Sequence, residues 1–135
     1  MKPKVYVVDD EPTVRHSVAA LFSACDTKLF ESTEDFLASF DPEPDNPSCV
    51  IADLRMPGLS GLDLKRALNE QDCDIPVILL TGYRDDETDV RAEALGIFRI
   101  LEKPFPPTEL VALTQQALSH SSGEPSQQTE VEQAD

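Results

Sequence analysis

Three short runs constrain this chain most: Val5-Tyr6-Val7-Val8, Cys49-Val50-Ile51-Ala52 and Val77-Ile78-Leu79-Leu80. Each is continuously apolar. None alternates apolar with polar residues, as a strand wetted on one face would. Strands of this kind are buried on both faces, which requires a parallel sheet with helices on either side. The segments between them supply those helices. Pro12 suits a first helical turn, and Val14, Val18, Leu21, Phe22 and Cys25 follow at helical spacing. Ser32 with Asp35 resembles a capping box opening a helix that buries Phe36, Leu37 and Phe40. Gly61 to Asn69 reads as a helix with Leu64, Ala67 and Leu68 inward. Pro107 to Leu118 is the last helix, with Leu110, Leu113, Ala117 and Leu118 as its stripe.

With strands predicted at Lys4–Val8, Thr27–Phe30, Ser48–Ala52, Pro76–Leu80 and Ile97–Leu101, the chain alternates strand and helix five times. The predicted fold class is α/β: a doubly wound, flavodoxin-like, five-stranded parallel sheet in the order 2-1-3-4-5. The fourth helix, Asp85 to Leu95, has only Val90, Ala94 and Leu95 to bury. Its docking is therefore expected to be loose, as in segments that move. The domain is predicted over residues 3–119. Residues 120–135 read as a disordered, acidic tail or linker remnant rich in Ser, Gln and Glu. That character begins at Ser119, after which there is no Lys or Arg and there are four acidic residues.

Function in an open parallel sheet gathers at the carboxyl ends of its strands. Asp9 and Asp10 follow the first strand, Asp53 the third, Thr81 the fourth and Lys103 the fifth. Any one of them has a plain structural explanation, such as a helix cap or a turn. Four strand ends carrying such groups point to one site. Order 2-1-3-4-5 makes the first and third strands neighbours, so Asp10 and Asp53 meet. Crowded carboxylates need protons or a cation, and hard oxygen ligands in a partly open site favour Mg²⁺. Cation, lysine and hydroxyl together suit a phosphoryl group approaching a carboxylate. Asp53 is the candidate nucleophile.

Val7-Val8-Asp9-Asp10-Glu11, Asp53-Leu54-Arg55-Met56-Pro57-Gly58 with Ser60-Gly61, Thr81-Gly82 and Lys103-Pro104-Phe105 resemble, in order and spacing, the receiver domain of two-component response regulators. The resemblance covers about residues 3 to 119. It implies a signalling switch that accepts phosphate on Asp53 from a histidine kinase or phosphotransfer protein and signals to an output partner. It further implies Mg²⁺ held by Asp10, by Asp9 through water, by Asp53 and by the Arg55 carbonyl. Thr81 and Lys103 would hold phosphoryl oxygens, and the Lys103-Pro104 bond would be cis. Arg55 and Tyr83 occupy positions that tune phosphoaspartate lifetime. The fourth helix, fifth strand and last helix would form the face that responds to phosphorylation and supports a dimer. One departure concerns the switch: where the family usually has an aromatic residue three positions before the lysine, this chain has Ile100. Phe98, two residues earlier, is expected on the same strand face. The helix–strand junction at Ser23 to Thr27 lacks the family's glycine, so a tight or irregular turn is expected there.

Composition narrows the other classes. A net charge of −15 disfavours direct nucleic-acid binding and anionic membrane. Three scattered cysteines, Cys25, Cys49 and Cys73, fit neither a disulfide framework nor a zinc site, and indicate a reducing cytoplasm. No stretch reaches the roughly 20 apolar residues of a membrane span. An aspartate-nucleophile phosphatase would place an acid two residues after its nucleophile, where Arg55 stands. Beyond self-phosphorylation and self-dephosphorylation, no enzyme activity is expected. The remaining alternative is a pseudo-receiver, a docking module that is never phosphorylated.

Overall fold

A computed structural model describes residues 2–121. Its elements are β1 (Lys4–Val8), α1 (Pro12–Ala20), β2 (Asp26–Phe30), α2 (Thr33–Ser39), β3 (Ser48–Asp53), α3 (Gly61–Glu70), β4 (Val77–Thr81), α4 (Asp86–Leu95), β5 (Arg99–Glu102) and α5 (Pro107–Ser121). The five strands form one sheet in the order β2-β1-β3-β4-β5, every pair parallel. The fold class is the one expected from the sequence.

The pleat sends alternate residues of each central strand to opposite faces, and each face has its own core. Tyr6, Val8, Val50, Ala52, Val77 and Leu79 pack with Phe36 of α2, Leu64 and Leu68 of α3 and Ala92 of α4. Val5, Val7, Cys49, Ile51, Ile78 and Leu80 pack with Val18 of α1 and Leu110 and Ala117 of α5. Tyr6, Phe30, Phe36 and Phe40 form a cluster of edge-to-face and stacked rings on the first face. Burial on both faces explains the uninterrupted apolar runs.

Several local expectations are corrected. The apolar stripe from Val14 to Cys25 outlasts its helix: α1 stops at Ala20, and Leu21, Phe22 and Cys25 are carried by tight turns, each amide donating three residues back. The junction is tight, as expected without a glycine. In α4 the buried residues are Thr88 and Ala92, while Ala94 is exposed and Val90 is 67% exposed. The helix is turned so that Thr88 and Ala92 face inward, with Leu95 partly buried against the same core as expected, leaving Val90 outside. The fifth strand begins at Arg99, after Gly96, with φ of +82°, ends α4 and the Phe98 amide makes the first bond to β4, at the Val77 carbonyl. Phe98 consequently packs with the α1/α5 core and Ile100 with the opposite core, so the two do not share a face. Two-residue alternation holds only within an extended strand, and Phe98 precedes it. α5 runs to Ser121, past the predicted tail boundary, with the His120 ring 5.7 Å from that of Phe98. The rest of the predicted tail, residues 122–135, lies outside the described residues. No helix among the described residues is long and apolar enough to cross a membrane.

Candidate functional site

The register builds the site directly. Val8 of β1 is paired with Ala52 of β3, so Asp9 and Asp10 leave β1 beside Asp53. One carboxylate oxygen from each of Asp9, Asp10 and Asp53 lies within 4.8 Å of the others. Asp9 is buried, Asp53 half-buried and Asp10 exposed. From the far side, Lys103 places its Nζ 3.3 Å from Asp53 Oδ1. The backbone there is fixed by the Lys103 amide, which donates to the Thr81 carbonyl at 2.7 Å, and by a cis Lys103-Pro104 bond.

The loop after Asp53 explains the Met56-Pro57-Gly58 turn. Gly58 has φ of +79°, a conformation that costs a non-glycine residue. The Leu59 amide donates to the Glu34 carboxylate of α2. The chain then returns so closely to β3 that the Gly61 amide donates to the Leu54 carbonyl at 3.0 Å. A Cβ on Gly61 would lie 2.6 Å from Leu79 Cδ2 and 2.8 Å from the Asp53 carbonyl, so only glycine fits. α3 starts there under a full capping box: Ser60 Oγ accepts from the Asp63 amide, and the Asp63 carboxylate accepts from the Ser60 amide. The Ser60-x-x-Asp63 spacing is the sequence signal for this cap.

Electrostatics follow from burial. Desolvation pushes the carboxyls of Asp9 and Asp53 above the ordinary aspartate value. For Asp53 the Lys103 ammonium pulls the other way and Asp10 adds repulsion. For Asp9 the Glu11 amide opposes the effect of burial, donating to Oδ1 at 2.9 Å. Asp9 Oδ2 is buried with no hydrogen-bond partner. A buried oxygen left unmatched is costly, and here it sits in a group of three carboxylates with one lysine against Asp53. A small hard cation meets both needs: it gives Oδ2 a partner and separates the negative charges. The donor set therefore fits a divalent metal such as Mg²⁺.

The remaining predicted residues are arranged around this centre. Thr81 ends β4 and is 1% exposed, but its hydroxyl is already engaged. It donates to the Tyr83 carbonyl at 2.8 Å and accepts from the Tyr83 amide at 3.2 Å. The Tyr83 side chain is exposed. Arg55 extends from the β3–α3 loop toward Asp85, the N-cap of α4, at 4.0 Å. Ile100 is partly buried against the α2–α4 core. Sequence reasoning passed over Arg84, whose guanidinium and amide reach three places on α4 and β5. No motif marks it, because its partners become neighbours only through the fold.

The family model for the response regulator receiver domain matches residues 5–115. The C4-dicarboxylate transport transcriptional regulatory protein DctD of Pseudomonas aeruginosa is 38% identical over 117 residues, covering 85% of this chain and 25% of that protein. The transcriptional regulatory protein FixJ of Rhizobium meliloti is 37% identical over 118 residues, covering 86% of this chain and 57% of that one. This chain thus spans between a quarter and somewhat over half the length of these curated relatives. Among solved structures, the crystal structure of FixJ-N superposes with a TM-score of 0.77 at 35% identity, covering 89% of this chain and 96% of that one. The BeF3-activated DrrB receiver domain superposes with a TM-score of 0.78 at 30% identity, covering 88% and 99%. Fold, motif order and relatives agree: the chain belongs to the receiver domain family of two-component response regulators.

Proposed function

We propose that this chain is a phosphorylation switch in which Asp53 accepts a phosphoryl group from the phosphohistidine of a histidine kinase or phosphotransfer protein. The observation that carries this is the position of Asp53. It is a half-buried carboxylate at the mouth of β3, within reach of the oxygens of Asp9 and Asp10 and 3.3 Å from the Lys103 ammonium. An Asp53 oxygen attacks phosphorus as the donor's P–N bond breaks. The electron pair returns to the imidazole nitrogen, which takes up a proton. Asp9, Asp10, Asp53 and the Arg55 carbonyl would hold Mg²⁺, which when bound offsets the charge gathering on the phosphoryl oxygens. Lys103 contributes a second positive charge. Thr81 supplies a hydroxyl donor once it leaves the Tyr83 carbonyl. Arg55 and Tyr83 shield the phosphoaspartate from water, lengthening its life. Ile100 leaves the readout without the swing of a hydrogen-bonding ring.

The signal passes to a protein partner or an attached output domain, in the reducing cytoplasm, with the α4–β5–α5 face as the dimer surface. Residues 3–119 act as the receiver unit. Direct nucleic-acid contact is opposed by the chain's net charge of −15. A docking module without phosphorylation would leave the acidic triad and Lys103 without a role. The test is intact mass after incubation with Mg²⁺ and acetyl phosphate. A gain of one phosphoryl group that is lost in Asp53→Asn is expected. A wild-type protein that never gains it, or a gain that persists in the variant, contradicts the proposal.

A further inference from the structure

The Thr81 hydroxyl has one proton, and it is given to the Tyr83 carbonyl. While that bond stands, Thr81 cannot donate to a group on Asp53. Tyr83 also donates its amide back to the same oxygen, so the β4–α4 loop is closed on Thr81 from both sides. The next residue, Arg84, secures that loop to three places. Its amide donates to the Glu102 carboxylate at 3.3 Å, its Nε to Asp89 Oδ1 at 2.9 Å, and its Nη1 to the Ile100 carbonyl at 3.3 Å. Those partners lie in the first turns of α4 and on β5, the sheet's edge strand. The Ile100 side chain offers no polar atom, so at that position it is the backbone carbonyl, alongside the Glu102 carboxylate, that ties β5 to the loop.

We infer that Arg84 is a positioning residue, a latch that holds the β4–α4 loop closed on Thr81 and carries any opening of that loop to α4 and β5. The inference rests on the phosphorylation reading for its purpose, though not for its geometry. When Thr81 turns from Tyr83 toward a phosphoryl oxygen, Tyr83 is freed. Its neighbour Arg84 then cannot keep all three bonds, and their loss loosens the α4–β5 side. A guanidinium suits the role because its fixed fork reaches two acceptors in different directions. Lysine has a single point of donation. Arg84 is exposed and belongs to neither core, so its replacement leaves both untouched.

The test is amide hydrogen exchange without any phosphodonor, comparing wild type, Arg84→Ala, Arg84→Lys and Asp89→Asn. The α3 amides serve as the control for global stability. Loss of the two guanidinium hydrogen bonds is expected to speed exchange over residues 82–90 and 99–102 about tenfold in Arg84→Ala. Arg84→Lys should show an intermediate effect and Asp89→Asn a smaller one, with α3 unchanged in all three. The phosphorylation rate from acetyl phosphate should rise several-fold in Arg84→Ala. Exchange equal to wild type in Arg84→Ala overturns the latch, as does acceleration that extends equally to α3. If the loop loosens as expected but wild type takes up no phosphoryl group, the latch is supported and the Asp53 reading fails.

Discussion

α3 and α4 are each ten residues long and sit side by side on one face of the sheet, yet they are held in different ways. α3 starts under a reciprocal capping box and buries Leu62, Leu64, Lys65 and Leu68. α4 starts on Asp85, whose carboxylate accepts from the Thr88 amide, and buries only Thr88 and Ala92. One is anchored by large side chains and the other by small ones. Between them run thin ties: Asn69 Nδ2 donates to the Leu95 carbonyl at 3.0 Å, and Arg55 faces Asp85 at 4.0 Å. The site straddles this difference. Asp53 and the loop after it belong to the anchored side, whereas Thr81 leads into the loosely held side. The proposed switch would use that division, with Asp53 fixed and the neighbouring loop free to respond.

The contrast between α3 and α4 should be largest at Leu68, which is fully buried. Leu68→Ala should cost about 2–5 kcal/mol, read from the urea midpoint. Ser60→Ala should cost about 1 kcal/mol by removing half of the α3 cap. Val90→Ala on α4 should stay within about 0.5 kcal/mol, since its side chain already faces water. If Val90→Ala costs as much as Leu68→Ala, α4 is not loosely held.

Lys65 sharpens the anchored side. It is 5% exposed, and burial lowers its pKa below the ordinary lysine value, with Cys73 and Asp74 partly opposing this. A lowered lysine pKa means that the folded protein sheds a proton which the unfolded chain retains. Between the lowered value and 10.5, wild-type stability therefore gains with pH, while below that window the full cost of the buried charge is present. Lys65→Met should be the more stable protein at pH 7, by about 0.5–1 kcal/mol. Its advantage should shrink as pH rises toward 10.5. A Lys65→Met protein less stable than wild type at pH 7 would mean that the ammonium is satisfied where it lies.

Much of this was legible in the sequence. The uninterrupted runs at Val5, Val50 and Val77 imply two-sided burial, and two-sided burial implies strand ends gathered at one pole. Asp9, Asp10, Asp53 and Lys103 followed from that pole. What was not legible depends on rotation and on contacts distant in sequence. The sequence marked Val90, Ala94 and Leu95 as the inward residues of α4; Leu95 is partly buried against the core, but Val90 and Ala94 are exposed and Thr88 and Ala92 are the buried ones. Phe98 lay outside the pleat that its spacing assumed. The ring contact that accompanies the end of α5, Phe98 with His120, joins residues 22 positions apart. The Arg84 contacts with Ile100 and Glu102 are likewise products of how β4, α4 and β5 are stacked.

The most direct test of the division between a fixed and a responsive side is the amide chemical-shift map of the ¹⁵N-labelled protein on adding Mg²⁺ and beryllofluoride, a phosphoryl mimic. Beyond Asp53 and its immediate neighbours, shifts are expected to concentrate in residues 81–95 and 99–103, while residues 62–70 of α3 stay close to their starting positions. Large shifts along α3 with residues 82–95 unmoved would contradict that division.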